Sequence, residues 1–144
     1  MQPDELDWKI INRLSESYAP NSVIARELGL SEGAIRQRLK KLQDSGILRI
    51  KAMRDTEILD NQQLCFLGIN ISESKLLDQK AKAIAGLEGV LSVSIVSGRY
   101  DLIAEILVDS NKGLINFLIQ TLSSIKGISK TETFLMLKNY NKWI

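Results

Sequence analysis

Four residues near the middle of the chain, Gly98-Arg99-Tyr100-Asp101, interrupt an apolar stretch that reads VSGRYDLIAEILV. These residue types could bind a small zwitterion. A glycine leaves backbone amides open to a carboxylate, and an acid can accept hydrogen bonds from an ammonium group. The same four residues could form a plain hairpin turn in which Asp101 bonds its own backbone. The residues by themselves leave both interpretations open.

Most catalytic chemistry is excluded by what the chain lacks. Its 144 residues include no histidine and one cysteine, Cys65, which lies in an apolar run and is predicted to be buried. Zinc sites and common acid–base machinery depend on these residue types. No P-loop or GxGxxG motif occurs, and no set of nucleophile, base and orienting group can be assembled. We therefore expect no enzyme, no catalytic residue, no metal site and no cofactor.

Charge is unevenly placed along the chain, although the net charge is only +2. The segment 36–54 carries seven cations and one acid, whereas the segment 1–35 carries three cations and six acids. Segregation of this kind is typical of a surface that binds nucleic acid. The alternative is an ordinary solvated helix face.

The elements that position these cations read as three helices within residues 4–45. Asp4 is the predicted N-cap of the first helix, Asn21 or Ser22 of the second, and Ser31 of the third. Gly29 can form the tight turn between the second and third helices, and Gly46 follows the third helix as a C-cap glycine would. This pattern predicts a helix-turn-helix motif.

The third helix presents a polar face opposite its predicted inward residues, Ile35, Leu39 and Leu42. Arg36 and Gln37 are suited to bidentate contacts with guanine and adenine in a major groove. Flanking cations are better placed for phosphates. The predicted DNA-binding residues are Ser31, Glu32, Gly33, Arg36, Gln37, Arg38, Lys40 and Lys41. The alternative is a helical hairpin that contacts only protein.

The hydrophobic period changes from helical to alternating after residue 61, and the order β-α-β-β-α-β follows. That order predicts a ferredoxin-like domain with helices on one face of an antiparallel sheet. The expected organisation is an α+β chain. A helix-turn-helix domain spans residues 1–46, a short strand and linker span 47–61, and the βαββαβ domain spans 62–144. The last strand is expected to run through ISKTETFLMLKNY.

The predicted strands are apolar on both faces, although a half-open antiparallel sheet should alternate apolar with polar residues. A second copy of the chain is the simplest cover for the free face. We therefore predict a homodimer, which would present two recognition helices to a pseudo-palindromic site on double-stranded DNA.

Three stretches carry a resemblance to a known family: LDWKIINRL, IARELGLSEGAIRQRLKKLQDSGIL and VSGRYDLIAEILVD. With the order of the two domains, they make nearly the whole chain resemble the Lrp/AsnC family of transcription regulators. The resemblance implies that the N-terminal domain binds promoter DNA. It also implies that the C-terminal domain dimerises, assembles into tetramers or octamers, and binds an amino acid or related metabolite between dimers.

The resemblance also implies an effector site. The loop Gly98–Asp101, called the effector loop below, matches the family's effector loop. Hydroxyl groups from the last strand of a neighbouring copy could complete the site. The predicted effector-binding residues are Gly98, Arg99, Tyr100, Asp101, Thr131 and Thr133. Arg99 stands where family members often carry an acid or a small polar residue, so this cation favours an anionic effector or a closed pocket.

The sequence as a whole predicts a sequence-specific transcription regulator modulated by an amino acid or related metabolite. It contains no apolar run of the roughly 18 to 20 residues that span a bilayer, and no secretory signal is recognisable, so we expect a cytoplasmic protein without a membrane partner. The alternatives are an architectural protein that wraps DNA with little sequence preference, and a metabolite-sensing protein-interaction module.

Overall fold

The computed structural model describes residues 1–144 and divides into two compact units, Met1–Ala52 and Met53–Ile144. Unit 1 consists of three helices: α1 (Glu5–Glu16), α2 (Asn21–Leu28) and α3 (Glu32–Asp44). One apolar cluster holds them together, with Ile10 from α1, Ile24 from α2 and Ile35 from α3 fully buried. The inward positions predicted for α3, including Leu39 and Leu42, are confirmed.

Local hydrogen bonds set where the three helices begin and end. Asp4 caps α1 as predicted and shares a reciprocal capping box with Asp7, at 2.9 and 3.1 Å. Ser31 Oγ accepts a hydrogen bond from the backbone N–H of Ala34 at 3.1 Å, which confirms the predicted cap of α3. Gly29 ends α2 in the left-handed conformation, at φ +67°.

The predicted cap of α2 is wrong. Asn21 and Ser22 both lie inside the helix, which begins directly after Pro20 without a side-chain cap. The carbonyl of Pro20 accepts hydrogen bonds from the backbone N–H groups of Val23 and Ile24. Pro20, at φ −60°, already has the ring-restricted backbone that leads into a helix, so no capping side chain is needed.

Unit 2 is a four-stranded antiparallel sheet with helices on one face. Its elements are β1 (Gln62–Ile71), α4 (Leu77–Ala85), β2 (Val90–Ile95), β3 (Leu102–Asp109), α5 (Ser110–Asn116) and β4 (Ile128–Leu135). A single π turn, Phe117–Thr121, and a 3₁₀ turn, Leu122–Ser124, continue α5. The strand order β2-β3-β1-β4 is that of the predicted ferredoxin-like plait.

The main core lies between this sheet and its helices. Cys65, Leu67 and Ile69 of β1 alternate with residues of the opposite face and pack beneath Ile84 of α4 and Phe117. Cys65 is fully buried, as predicted, and burial raises the pKa of its thiol above the ordinary value.

Several predicted boundaries are wrong. Residues 47–61, predicted to begin with a short strand, contain no strand, because this segment makes only an isolated bridge at Asp55 and no longer ladder. The last strand ends at Leu135 instead of running to Tyr140, since its ladder with β1 ends at the pair Cys65–Leu135. Ala85, predicted to face inward, is exposed because α4 ends there.

The two ends of unit 2 pair with each other. Asp55 and Trp143 form an isolated antiparallel bridge, and two backbone hydrogen bonds of 2.7 and 3.0 Å join Arg54 to Ile144. No helix of the chain is long and apolar enough to span a membrane.

Candidate DNA-binding surface and effector loop

The outward face of α3 is exposed and carries most of the predicted DNA-binding residues. We call Glu32, Gly33, Arg36, Gln37, Lys40 and Lys41 the α3 surface, and all six are exposed. Because Ile35, Leu39 and Leu42 fix the opposite face in the core, the direction of these side chains is determined by packing.

Two cations of the α3 surface have acidic partners one helical turn away. Arg36 Nη2 lies 2.9 Å from Glu32 Oε1, and Lys40 Nζ lies 2.5 Å from Asp44 Oδ2. All four side chains are at least half exposed. Such exposed pairs stabilise a helix by only about 0.3–0.5 kcal/mol, so both cations can exchange these acids for phosphates or base edges.

Gly33 provides room for close approach. A Cβ atom built on Gly33 meets no atom within 4 Å, so the backbone near the start of α3 is open to a large ligand. Ser31 lies beside it, but its side chain already caps the helix. Any contact from Ser31 to DNA would therefore add to its capping role.

Arg38 differs from the other predicted DNA-binding residues. Its Nη1 lies 2.7 Å from Asp4 Oδ2 and 2.7 Å from Asp7 Oδ1, so it joins α3 to the start of α1. These hydrogen bonds raise the pKa of Arg38 and lower the pKa of Asp4 relative to their ordinary values. Nothing in the spacing of Asp4, Asp7 and Arg38 along the sequence indicates this contact.

The effector loop is tied to the end of β1. Asp101 Oδ2 accepts a hydrogen bond from the backbone N–H of Ile71 at 2.8 Å, and the backbone N–H of Asp101 donates to the carbonyl of Ile69 at 3.0 Å. The Asp101 carboxylate therefore bonds a neighbouring strand rather than its own turn. Gly98 takes a φ of +113°, which side-chain-bearing residues rarely adopt, and the space at its Cβ position is open.

Tyr100 is held against the sheet. A Cβ atom on Gly68 would lie 2.8 Å from the Tyr100 ring, so the absence of a side chain at Gly68 makes room for that ring. The ring meets Phe134 edge to face, with centroids 6.1 Å apart. Arg99 is exposed; its guanidinium carbon lies 5.8 Å from the centre of the Tyr100 ring, and its carbonyl accepts a hydrogen bond from Asn70.

The two predicted threonines lie at the same end of the sheet but on its helix-side face, whereas the Tyr100 ring lies on the opposite face. Thr131 pairs with Ile69 and Thr133 with Leu67, while β3, which follows the loop, lies on the other side of β1. The structure therefore brings together Gly98, Arg99, Tyr100 and Asp101, but not the threonines of the same chain.

The sheet face opposite the helices is only partly covered in the single chain, by the Tyr100 ring and by Lys142. We call this the open face; its register places Phe66, Ile103, Glu105, Glu132 and Phe134 on it. Phe66 is 38% exposed and Phe134 44% exposed. The apolar residues of this face were predictable from the sequence, whereas the presence of its two acids was not.

The two acids on the open face have different surroundings. Lys142 Nζ lies 2.5 Å from Glu105 Oε1, an ion pair without hydrogen-bond geometry, and 5.4 Å from the centre of the Phe66 ring. Glu132 Oε2 is buried and has no hydrogen-bond partner. A buried polar atom without a partner is costly to the folded chain.

Comparison with known proteins identifies the class. The model described as "Winged helix-turn-helix DNA-binding" matches residues 3–49, and the model described as "Lrp/AsnC ligand binding domain" matches residues 64–142. With unit 1 and unit 2 folded as described, they define a DNA-binding transcription regulator and not an enzyme. The chain belongs to the Lrp/AsnC family, which confirms the resemblance seen in the sequence.

Individual relatives agree with this assignment over nearly their full lengths. The HTH-type transcriptional regulator FL11 of Pyrococcus horikoshii is 31% identical over 141 residues, covering 96% of this chain and 92% of that protein. The regulatory protein AsnC of Haemophilus influenzae is 27% identical, covering 94% and 92%. The structure of AsnC from E. coli matches with a TM-score of 0.68 at 25% identity, covering 96% and 95%.

Proposed function

We propose that this regulator is sequence-specific and reads its operator with the α3 surface. The observation that carries the proposal is the orientation of α3: its apolar stripe is fully occupied by the core, so its cations and Gln37 face outward. Arg36 and Gln37 are the proposed base-reading residues, and Lys40 and Lys41 the proposed phosphate contacts. Glu32, Gly33 and Ser31 form the start of the same surface.

The regulator is proposed to act as a homodimer through the open face. The partly exposed rings of Phe66 and Phe134 support a covering molecule at this face. A second copy of the chain is the occupant that also supplies a second α3 for a pseudo-palindromic operator. Further assembly of dimers into tetramers or octamers belongs to the same proposal.

An amino acid or related small metabolite is proposed to bind at the effector loop. Gly98 leaves backbone amides approachable, and Asp101 Oδ1 makes no hydrogen bond within the chain and can accept one from an ammonium group. Arg99 is exposed and can pair with an anionic group. Because Thr131 and Thr133 lie on the helix-side face of the sheet, opposite the Tyr100 ring, these hydroxyls would come from a neighbouring copy.

Fluorescence anisotropy tests the proposal, with the duplex upstream of the chain's own gene, a scrambled duplex of equal composition, and two salt concentrations. We expect Arg36→Ala to weaken binding to the cognate duplex by about 1–3 kcal/mol and to leave the scrambled duplex nearly unaffected. Lys41→Ala should weaken both duplexes alike and reduce the salt slope by about 0.9. Single amino acids added to the cognate complex test the loop.

The alternatives predict different outcomes of the same experiment. Equal, strongly salt-dependent binding to both duplexes would support an architectural DNA-wrapping protein. Binding to neither duplex at any salt concentration would support the protein-interaction alternative. If Arg36→Ala and Lys41→Ala weakened both duplexes equally, the assignment of Arg36 to base reading would be wrong.

A further inference from the structure

We infer that Arg38 is a positioning residue of the DNA-binding unit, which acts by clamping α1 to α3 instead of contacting phosphate. This inference rests on the proposal that α3 reads DNA. It deepens that proposal by assigning a function to Asp4 and Asp7, two acids that would otherwise only oppose binding to a polyanion.

The geometry of the clamp is specific. One guanidinium nitrogen, Arg38 Nη1, lies 2.7 Å from an oxygen of Asp4 and 2.7 Å from an oxygen of Asp7. The same two acids form the capping box of α1, in which each side chain accepts a hydrogen bond from the backbone of the other. The first turn of α1 is therefore bound both to itself and to α3.

The clamp supplements a small apolar contact. Ile10 is the only fully buried apolar residue of α1, and Leu14 packs at the edge of the cluster. Asp7 is itself 4% exposed, so its carboxylate is removed from water and depends on Arg38 and the capping box for compensation. Loss of the cation leaves a buried charge with only the hydrogen bond of the capping box, a change that folded proteins tolerate poorly.

The charges argue against a direct phosphate role. One cation shared by two carboxylates gives a cluster with net negative charge, which repels a phosphate backbone. Arg36 and Lys40 differ, because each has one exposed acidic partner that it can leave. Arg38 would have to abandon a nearly buried carboxylate to reach DNA.

The direction in which one substitution changes the affinity for DNA distinguishes a positioning role from a purely electrostatic one. Removing an acid from a DNA-binding surface strengthens binding when charge alone matters. If Asp7 holds α1 through Arg38, Asp7→Asn should instead weaken cognate binding on the order of tenfold, a loss of 1.4 kcal/mol. Binding to the scrambled duplex should change little, because the phosphate contacts remain.

Substitution of Arg38 provides the second measurement. Arg38→Gln should weaken cognate binding and leave the salt slope unchanged, whereas loss of a phosphate contact lowers the slope by about 0.9. Arg38→Lys, which keeps a positive charge and several donors on one nitrogen, should retain part of the cognate preference that Arg38→Gln loses. Lys41→Gln is the matched control from the same helix, and it should lower the slope.

All affinities are measured well below the melting temperature of each variant, with helix content checked by circular dichroism. If Asp7→Asn does not fold, Arg38→Lys and Arg38→Gln carry the test. Unchanged or tighter cognate binding by Asp7→Asn, or a reduced salt slope for Arg38→Gln, overturns the clamp. If Arg36→Ala keeps full cognate preference, the proposal for α3 fails and the clamp fails with it. If Arg36→Ala weakens cognate binding and Asp7→Asn does not, only the proposed clamp is wrong.

Discussion

At the scale of single residues, Gly68 determines where the aromatic side chain of the effector loop can lie. The Tyr100 ring occupies the volume that any side chain at Gly68 would need. A glycine inside an apolar strand often indicates a close approach of this kind. The residues LGI in β1 therefore predict that another group packs against Gly68. The identity of the approaching group was not readable, because it comes from a loop about thirty residues further along the chain.

Gly68→Ala should destabilise unit 2 by about 1–3 kcal/mol, because Tyr100 must leave its position or the strand must shift. Urea unfolding followed by the fluorescence of Trp143, in a Trp8→Phe background, measures this change. Gly86→Ala is the matched control: its added Cβ would make only ordinary contacts, the nearest at 3.6 Å. In a Tyr100→Ala background, Gly68→Ala should lower the free energy of unfolding much less. An unchanged loss of stability in that background would exclude Tyr100 as its cause.

At the scale of elements, the first turn of α1 owes its stability to charges as well as to backbone hydrogen bonds. The hydrogen bond from Arg38 holds the pKa of Asp4 below its ordinary value, and the capping box contributes in the same direction. A carboxyl group with a lowered pKa stabilises the folded state above its ordinary pKa. That contribution is lost as the pH falls through the lowered value.

The melting temperature of unit 1 should therefore fall as the pH is lowered from about 5 to about 2. Asp4→Asn should reduce the dependence on pH, since asparagine can still cap the helix but has no charge to titrate. Thermal unfolding followed by the fluorescence of Trp8, in a Trp143→Phe background, provides the measurement. An equal pH dependence of the melting temperature with and without Asp4→Asn would show that titration of Asp4 does not contribute to it.

Element positions were largely predictable from the sequence, whereas contacts between elements were not. The three helices and the βαββαβ order follow from local periodicity and turn residues, which act over a few neighbouring positions. The clamp between Arg38 and Asp4 depends on the packing of α1 against α3, which local patterns do not determine. The short strand predicted within residues 47–61 is absent for a related reason: a strand needs a ladder with a neighbouring strand, and periodicity does not show whether one is present.

At the scale of the whole molecule, the open face of unit 2 is the surface that most needs a partner. It combines two half-exposed aromatic rings with a buried carboxylate oxygen that has no donor within the chain. In a strand with one face in water, polar residues on that face normally alternate with apolar residues on the core face. The exposed rings support the proposed homodimer, whose contact we propose to lie on β1, β3 and β4.

Phe134→Lys should convert the homodimer to a monomer, because it places a cation in the middle of the proposed apolar contact. Sedimentation equilibrium over a range of concentrations measures the mass directly. Ile115→Lys is the control, since Ile115 is 57% exposed on α5, in the helical layer on the other side of the sheet. A Phe134→Lys variant that stays dimeric while correctly folded would place the dimer contact elsewhere.

Tyr100 belongs to the effector loop by sequence and to the open face by contact, since its ring lies on Gly68 and meets Phe134. A ligand that moves this ring changes the surface offered to a second copy, and a second copy that fixes the ring changes the loop offered to a ligand. Two binding events that share one side chain are thermodynamically linked, and the linkage is reciprocal. If the proposed ligand binds this loop, its affinity would then change with protein concentration, and dilution alone would alter it.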